Sequence, residues 1–290
     1  MGLQARFNLA VIAACVIGFA LAALMLQQVF LANARAQVLQ NARIMMSAAD
    51  AVRHYTDKRL TPILPTDIGG RFVPETVPFF AAQTTFKEVQ AQFPAFTYRE
   101  PTLNPTNPGD RAGDWEADFV NSFRNDRSLH ELVGQRDTPT GPALSLARPI
   151  AVDSAECLVC HSTPAHAPPA MLASYGSANG FGWQLREVVG AQLVTVPMAL
   201  PMAAARQEFI TFMAILLAMF VLILAILNLL LHAAVIRPVR QLSRLADAVS
   251  LGETGVADYE PKGRDEIAVL ATAFNRMRRS LEAAMRMLER

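Results

Sequence analysis

The sequence is poor in cysteine and in charge. Only three of its 290 residues are cysteines. Cys15 lies in an apolar run, and two residues separate Cys157 from Cys160, which excludes a disulfide scaffold and leaves one local cysteine site. Charged residues make up 18% of the chain and the formal net charge is +1, so no nucleic-acid partner is expected. Apolar residues make up 52%, a level typical of chains that lie partly in lipid.

Two uncharged apolar runs are long enough to cross the roughly 30 Å hydrocarbon core of a bilayer as helices. They extend from Phe7 to Gln28 and from Phe209 to Leu231. Core helices rarely run this long without a polar face, so the second run is predicted to span a membrane. The first run has an alternative interpretation as a cleaved signal peptide, with Arg6 before it and Ala34-Arg35-Ala36 after it. Its apolar part is longer than a usual signal core, which favours an uncleaved anchor.

The charges that flank the second run predict the orientation of the chain. Arg237, Arg240 and Arg244 follow it, whereas Glu208 and a single Arg206 precede it. Because positive residues favour the cytoplasmic side, we expect the C-terminus inside a bacterial inner membrane and the region between the runs outside. The predicted segments are a cytoplasmic N-terminus (1–6), a first transmembrane helix or signal anchor (7–30), a periplasmic domain (31–207), a second transmembrane helix (208–232) and a cytoplasmic module (233–290).

The segment from Glu156 to His161 reads Glu-Cys-Leu-Val-Cys-His. Two thiols three positions apart can each add to one vinyl group of a haem, and the adjacent imidazole then reaches the iron, so the segment predicts one covalently attached haem c. A redox dithiol is the first alternative, but no thioredoxin-like βαβ unit surrounds the pair. Zinc held by Cys157, Cys160, His161 and His166 is the second, and the adjacent Cys160 and His161 would crowd a tetrahedral ion.

The second axial ligand of the iron is left open by the sequence, and an open position that binds a gas is equally compatible with it. Methionines on amphipathic helices are usually core residues, and isolated histidines usually lie at the surface. Arg53 and Arg99 are candidates for contacts with the haem propionates, because a guanidinium matches a carboxylate. The candidate ligands are Met45, Met46, His54, His130 and Met171.

The region between the runs predicts an α+β domain with a central antiparallel sheet. A long helix should leave the first run, from about 32 to 64. A second helix fits Trp115 to Arg124, because Trp115, Phe119 and Phe123 recur every fourth residue. Strands are predicted at 96–99, 143–152 and 190–196. The turn-rich segment 162–169 is predicted to be a loop.

The module after the second run predicts two helices joined by a connector that contains Gly255, Val256 and Pro261. The first helix follows Ile236, and the second opens at Asp265 and Glu266. Two such helices cannot bury their apolar seams alone, so a homodimer with a parallel four-helix bundle is expected. The seam of the second helix follows a heptad pattern with residues Ile267, Leu270, Phe274, Met277, Leu281, Ala284 and Leu288.

Residues 236–285 resemble a HAMP domain, with Pro238 near the start and Asp265-Glu266 before the second helix. Residues 31–205 resemble the Tll0287-like family of haem-binding, PAS-like sensor domains. The matching stretches are Ala51-Val52-Arg53 with Tyr55, Glu100 to Pro108, Asp114-Trp115-Glu116, Asp137 to Pro142 with Thr140, Cys157 to His161, Gly180-Phe181-Gly182-Trp183 and Gly190-Ala191-Gln192.

The family resemblance implies a PAS-like fold and haem c bound through Cys157 and Cys160, with His161 as an axial ligand. It also implies that the other axial group comes from the first long helix, which favours Met46 or His54. A cysteine in that helix would be an alternative ligand, but its outer part contains none.

The leading hypothesis for function is signalling. A change in iron oxidation state or a bound diatomic gas would bias two packings of the HAMP bundle. No kinase, cyclase or methyl-accepting segment follows the last heptad, so a separate cytoplasmic partner, such as a histidine kinase, is expected. The alternative is a membrane-tethered monohaem cytochrome for electron transfer, which leaves the heptad module without a role. A haem enzyme is disfavoured, because no distal acid/base pair can be placed near the haem.

Overall fold

A computed structural model of the chain describes residues 3–139, 141–253, 257–260 and 263–288. The chain divides into two units. The first consists of Gln28–Glu208, and the second consists of Met1–Gln27 together with Phe209–Arg290. Thr140 of one matching stretch, and Gly255, Val256 and Pro261 of the predicted connector, lie outside the described residues.

An α+β domain contains most of the helices and strands that the chain forms up to Pro197. A π-helical turn, Thr56–Leu60, extends the first helix. In chain order the helices and strands are α1 (Leu3–Tyr55), β1 (Asp67–Ile68), β2 (Arg71–Phe72), α2 (Pro78–Gln92), β3 (Thr97–Arg99), α3 (Asp114–Asn125), β4 (Leu132–Thr138), β5 (Gly141–Ala151), α4 (Cys157–His161), α5 (Pro169–Tyr175) and β6 (Val188–Pro197).

A four-stranded antiparallel sheet in the order β3-β6-β5-β4 forms the centre of this domain. The predictions of a central antiparallel sheet, of the helix at 115–124 and of strands near 96–99, 143–152 and 190–196 are therefore confirmed. The strand β4, which lies at an edge of the sheet, was not predicted from the sequence. Its residues Gln135, Arg136 and Asp137 are exposed, so the strand lacks the run of apolar residues that marked the two central strands.

Helices cover both faces of the two central strands. On one face, Val38, Ala42, Met46 and Ala49 of α1 are fully buried, and their spacing of three and four residues places them on one side of the helix. They pack with α2 and with alternate residues of the strands, including Leu144 and Leu146 of β5 and Val194 and Val196 of β6. On the other face, Val120 and Phe123 of α3 pack with Ala147 and Leu193. The period of two along each strand therefore divides its apolar residues between two cores.

Polar contacts also join α1 to the sheet. Arg148 of β5 lies 3.4 Å from Asp50 and 3.2 Å from Glu131, and Arg43 reaches the same Glu131 at 2.8 Å. The side-chain amide of Gln192 on β6 donates to Asp50 at 2.6 Å. These polar contacts fix the position of α1 along the sheet more specifically than apolar packing alone would.

The second unit consists of helices. After β6 the chain forms α6 (Ala199–Leu231), a π-helical turn (His232–Ile236), α7 (Arg237–Ser250) and α8 (Glu266–Leu288). Both the first helix, over residues 4–60, and the helix over residues 199–250 are long and apolar enough to cross a membrane. The predicted starts of the helices after Ile236 and at Asp265-Glu266 are confirmed to within one residue.

The connector between α7 and α8 binds the side of α8. The side chain of Asn275 accepts from the backbone N–H of Tyr259 at 3.1 Å and donates to its carbonyl at 2.8 Å. Asp258 accepts from Arg278 and Arg279. Within a single chain these contacts bury Asn275 and Arg278, whereas Leu270, Met277 and Leu281 of the predicted seam stay exposed.

Gly190 of β6 provides a test of the packing of this domain. A Cβ at this position would lie 2.6 Å from the carbonyl oxygen of Pro101 and 2.6 Å from Cγ2 of Thr102. We expect Gly190→Ala to destabilise the chain by about 1–3 kcal/mol, because backbone atoms must move. Thermal unfolding of the full chain in detergent measures the loss.

Gly134→Ala is the matched control, since its Cβ would meet only the end of the Phe119 ring, at 2.8 Å. The Phe119 side chain can swing aside by a small change in χ1 without moving the backbone, so this variant should lower Tm less than Gly190→Ala. Equal losses from the two variants would contradict the close backbone approach at Gly190.

Candidate haem site

The two cysteines lie on one short helix. The helix α4 spans Cys157 to His161, and its first turn begins after Ser154, whose side chain accepts from the backbone N–H of Glu156 at 3.1 Å. Residues three apart lie on the same side of a helix, so Cys157 and Cys160 both face the same region. Both are free thiols and partly buried. Burial, with a further contribution from Cys157, raises the pKa of the Cys160 thiol, whereas redox-active pairs have a lowered pKa.

Apolar side chains surround both thiols. Cys160 packs against a cluster formed by Phe72, Ala170 and Met171, together with the partly buried Val77, Tyr175 and Phe181. Cys157 packs against a second cluster formed by Ile150, Val152 and Val189, together with Phe79, Leu158 and Trp183. The residues come from β2, α2, β5, α4, α5, β6 and the loops between them. A large apolar ring attached to the two sulfur atoms would find apolar walls on both sides.

The ring of His161 is held by two contacts. Its Nδ1 lies 2.7 Å from the carbonyl oxygen of Gly180, and its ring stacks on Trp183 with centroids 3.9 Å apart and planes 11° from parallel. A carbonyl only accepts, so Nδ1 carries the proton and Nε2 presents a free lone pair. Burial lowers the pKa of His161, partly offset by the hydrogen bond to Gly180. The side chain is therefore a neutral imidazole oriented as a metal ligand.

A glycine is required at position 180. Its φ is +83°, a conformation that L side chains rarely adopt, and a Cβ would lie 2.1 Å from Oγ1 and 2.8 Å from Cα of Thr106. The backbone N–H of Gly180 donates to Asn104 at 3.2 Å, and Thr106 Oγ1 lies 3.4 Å from Nδ1 of His161. Two of the matching stretches, 100–108 and 180–183, thus meet at His161.

The individual roles of Asn104, Thr106 and Trp183 were not predicted from the sequence. The only signal for them was that they lie in stretches shared with the family. Nothing in their spacing relative to Cys157 indicates that they contact His161, because the contacts join segments far apart in the chain.

The predicted axial ligands from α1 lie in different surroundings. Met46 is fully buried in the core between α1 and the sheet, and Met45 packs beside it, whereas His54 is exposed. Met171 is buried in the same cluster as Cys160. His130 is exposed. The structure thus places Met171 in the cluster of Cys160, and the ligand from α1, Met46 or His54, stays a prediction.

The two arginines predicted to contact propionates differ in their partners. Arg99 lies 2.9 Å from Glu116 and 3.2 Å from the carbonyl of Gly109, so both of its terminal nitrogens donate within the protein. Arg53 lies over the ring of Phe79, with Cζ 4.2 Å from the centroid, and Phe79 belongs to the cluster of Cys157. The Nε of Arg53 is buried without a hydrogen-bond partner. The guanidinium of Arg53 lies 3.7 Å from Asp50 and 3.9 Å from Glu100, too far for hydrogen bonds, so it can still donate to a carboxylate, which fits a propionate contact.

The zinc alternative receives no support in the described part of the chain, where no group of three or more His, Cys, Asp or Glu side chains is placed to hold a metal ion. His166 is exposed, and its ring nitrogen lies 2.8 Å from the Thr163 hydroxyl. The donor set instead fits haem c: two thiols on one helix, one imidazole with a free Nε2, apolar walls and an arginine with an unused donor.

Gly180→Ala should disturb His161 because the added methyl collides with Thr106. Gly182→Ala is the matched control, since Gly182 has a similar φ of +82° but no atom within 4 Å of its Cβ position. We expect the position-180 variant to lose several-fold more bound haem per chain, with a lower Tm. Pyridine haemochrome assays and thermal unfolding measure both. Equal effects of the two variants would show that backbone strain alone matters.

Comparisons with known proteins cover both units. No curated protein matches the chain. Among solved structures, the crystal structure of the cyanobacterial heme-protein Tll0287 is similar, with 19% identity, a TM-score of 0.43, and coverage of 55% of this chain and 94% of that chain. Residues 230–283 match the HAMP domain, and residues 31–197, more than half of the chain, match the Tll0287-like domain. The chain therefore belongs to the Tll0287-like family and carries a HAMP domain after its Tll0287-like domain.

Proposed function

We propose that this chain is a membrane-bound sensor that carries one haem c, attached through thioethers to Cys157 and Cys160 with His161 as an axial ligand. The observation that carries the proposal is the hydrogen bond from Nδ1 of His161 to the carbonyl of Gly180. It orients a neutral imidazole next to two thiols between apolar walls. The solved relative is described as a heme-protein, which agrees with this assignment.

Each residue of the site has one part in holding the group. Cys157 and Cys160 anchor it, His161 supplies Nε2, and Arg53 donates to a propionate. When bound, the haem supplies an iron that changes oxidation state or takes up a diatomic gas. The ligand on the opposite side is proposed to come from α1, as Met46 or His54. We further propose that the fold is PAS-like, and we expect no enzymatic activity.

The position of this domain between two apolar helices supports the signalling part of the proposal. The helix α1 continues without a break from residue 3 to Tyr55, and β6 ends at Pro197, two residues before α6 begins. We propose that the domain lies in the periplasm, that both helices cross the inner membrane, and that the HAMP domain lies in the cytoplasm. A change at the haem would then reach the HAMP domain through both helices.

We also propose that two chains associate through the HAMP helices. Leu270, Met277 and Leu281 share one side of α8 and are 50%, 60% and 45% exposed in the single chain. A second copy would bury this seam. The output would pass to a separate cytoplasmic signalling protein. The HAMP domain favours this function over electron transfer, which has no use for such a seam.

Variants of the three cysteines test the haem assignment. Cys157→Ser and Cys160→Ser should each weaken haem staining after denaturing electrophoresis, and the double variant should abolish it, because no thioether remains. Cys15→Ser is the matched control and should keep full staining, since Cys15 lies in the apolar part of α1. Full staining of the double variant would contradict covalent attachment at these positions.

Cross-linking tests the proposed relay. In a Cys15→Ser background, Met277→Cys should cross-link between copies with a bismaleimide, and the yield should differ between reduced and oxidised haem. Thr272→Cys lies on the opposite side of α8 and is the matched control, with little cross-linking in either state. A high cross-linking yield for Met277→Cys that does not depend on the haem state would support the dimer but contradict the relay.

A further inference from the structure

A buried acid lies between α1 and the sheet. Glu100 follows β3 and is only 2% exposed. Its Oε1 accepts from the hydroxyl of Tyr98, and its Oε2 is buried without a hydrogen-bond partner. A carboxylate with one free buried oxygen is costly, whereas a carboxylic acid carries its own proton on that oxygen.

The charged and titratable groups that face Glu100 come from every element around it. From α1, Nε of Arg53 lies 3.9 Å from Oε1, and Asp50 lies 3.7 Å from Arg53. Asp110, from the turn after Asn107, adds negative charge. From β6, the amide of Gln192 lies 3.4 Å from the Tyr98 hydroxyl. One arginine is thus shared by two carboxyl groups.

Burial has the largest effect on the pKa of Glu100. It raises the pKa of Glu100 to about 8, against the lowering effects of Arg53 and of the Tyr98 hydroxyl. Burial likewise raises the pKa of Tyr98, so the phenol keeps its proton and stays a donor. In the chain without haem, Glu100 therefore keeps its proton at neutral pH and loses it as the pH rises past about 8.

Arg53 joins this acid to the haem site. Its guanidinium lies on the ring of Phe79, which packs in the cluster of Cys157, and its Nε has no hydrogen-bond partner. A propionate bound there would weaken the hold of Arg53 on Glu100. A change of charge on the haem would therefore act on Glu100 through Arg53.

We propose that Glu100 is a proton-binding site whose occupancy follows the oxidation state of the haem. The proposal rests on the proposed function, because it needs the haem beside Arg53. At a pH between the pKa of Glu100 beside oxidised haem and its higher pKa beside reduced haem, an electron supplied to the haem by a one-electron donor, such as a reduced cytochrome, would be accompanied by the transfer of one proton from water to the Glu100 carboxylate. On oxidation the electron leaves to an acceptor and the proton returns to water.

Glu100 lies among the residues that join α1 to the sheet, so its charge acts where α1 is held. Tyr98 packs in the core with Met46 and Val194, and Gln192 bonds both Tyr98 and Asp50. Loss of the proton places a negative charge inside this network. The proton therefore gives the redox change a direct effect on the helix that leads into the membrane.

The test is the midpoint potential of the haem in the full chain as a function of pH. In the wild type the potential should fall as pH rises through the pKa of Glu100, with a slope of up to about 59 mV per tenfold change in proton concentration. Glu100→Gln should remove this slope. Asp50→Asn, the matched control, removes the other carboxylate that faces Arg53 and should keep it. A slope that persists in Glu100→Gln would assign the proton to a propionate and overturn the proposal.

The chain without haem gives a second readout, which separates this proposal from the proposed function. A folded-state pKa above the unfolded value of about 4.3 means that the folded chain binds more protons, so stability falls as pH rises through this range. The Tm of the wild type should therefore fall relative to that of Glu100→Gln between about pH 4.3 and about pH 8. A constant difference would overturn the proton site. A chain that shows the fall but takes up no haem would overturn the coupling and the proposed function together.

Discussion

The hydrogen bond between His161 and the carbonyl of Gly180 organises the site. It selects the tautomer that leaves Nε2 free, and it requires Gly180 at a positive φ against the backbone of Thr106. The stack on Trp183 then fixes the plane of the ring. Three segments, α4, the loop around Asn104 and the loop before β6, must meet for this bond to form. The orientation of one imidazole thus depends on the fold of the whole domain.

The same fold places its two central strands between two layers of helices. Because β5 and β6 are buried on both faces, their alternate residues serve two cores, one with α1 and α2 and one with α3. The strand β6 leads to α6, and α1 packs directly on the sheet. Any shift at the haem site that moves the sheet relative to α1 therefore acts on both helices that leave the domain.

Polar groups between α1 and the sheet oppose such shifts in a specific way. Asp50 is shared by Gln192 and Arg148, and Glu131 by Arg43 and Arg148. Interactions of this kind weaken steeply when the partners slide, whereas apolar contacts tolerate small displacements. A switch with two discrete positions of α1 needs such contacts.

Periodicity and local motifs made several features predictable. The heptads after Ile236, the repeat of Trp115, Phe119 and Phe123, and the spacing of Cys157 and Cys160 are properties of neighbouring residues. They led to α7, α8, α3 and the haem assignment.

Features that depend on distant segments were not predictable in this way. The contact of Gly180 with Thr106, the burial of Glu100 and the pairing of the polar edge strand β4 each need the tertiary fold. The burial of Met46 shows the same limit, because a helical repeat marks a buried face but does not identify what packs against it.

The central claim is that Cys157 and Cys160 carry the haem. Mass spectrometry of the peptide that contains residues 157–161, from the full chain produced with c-haem maturation machinery, tests it most directly. We expect one haem mass on this peptide, with neither thiol open to alkylation. A peptide without added mass, in which both thiols react with an alkylating reagent, would contradict the claim.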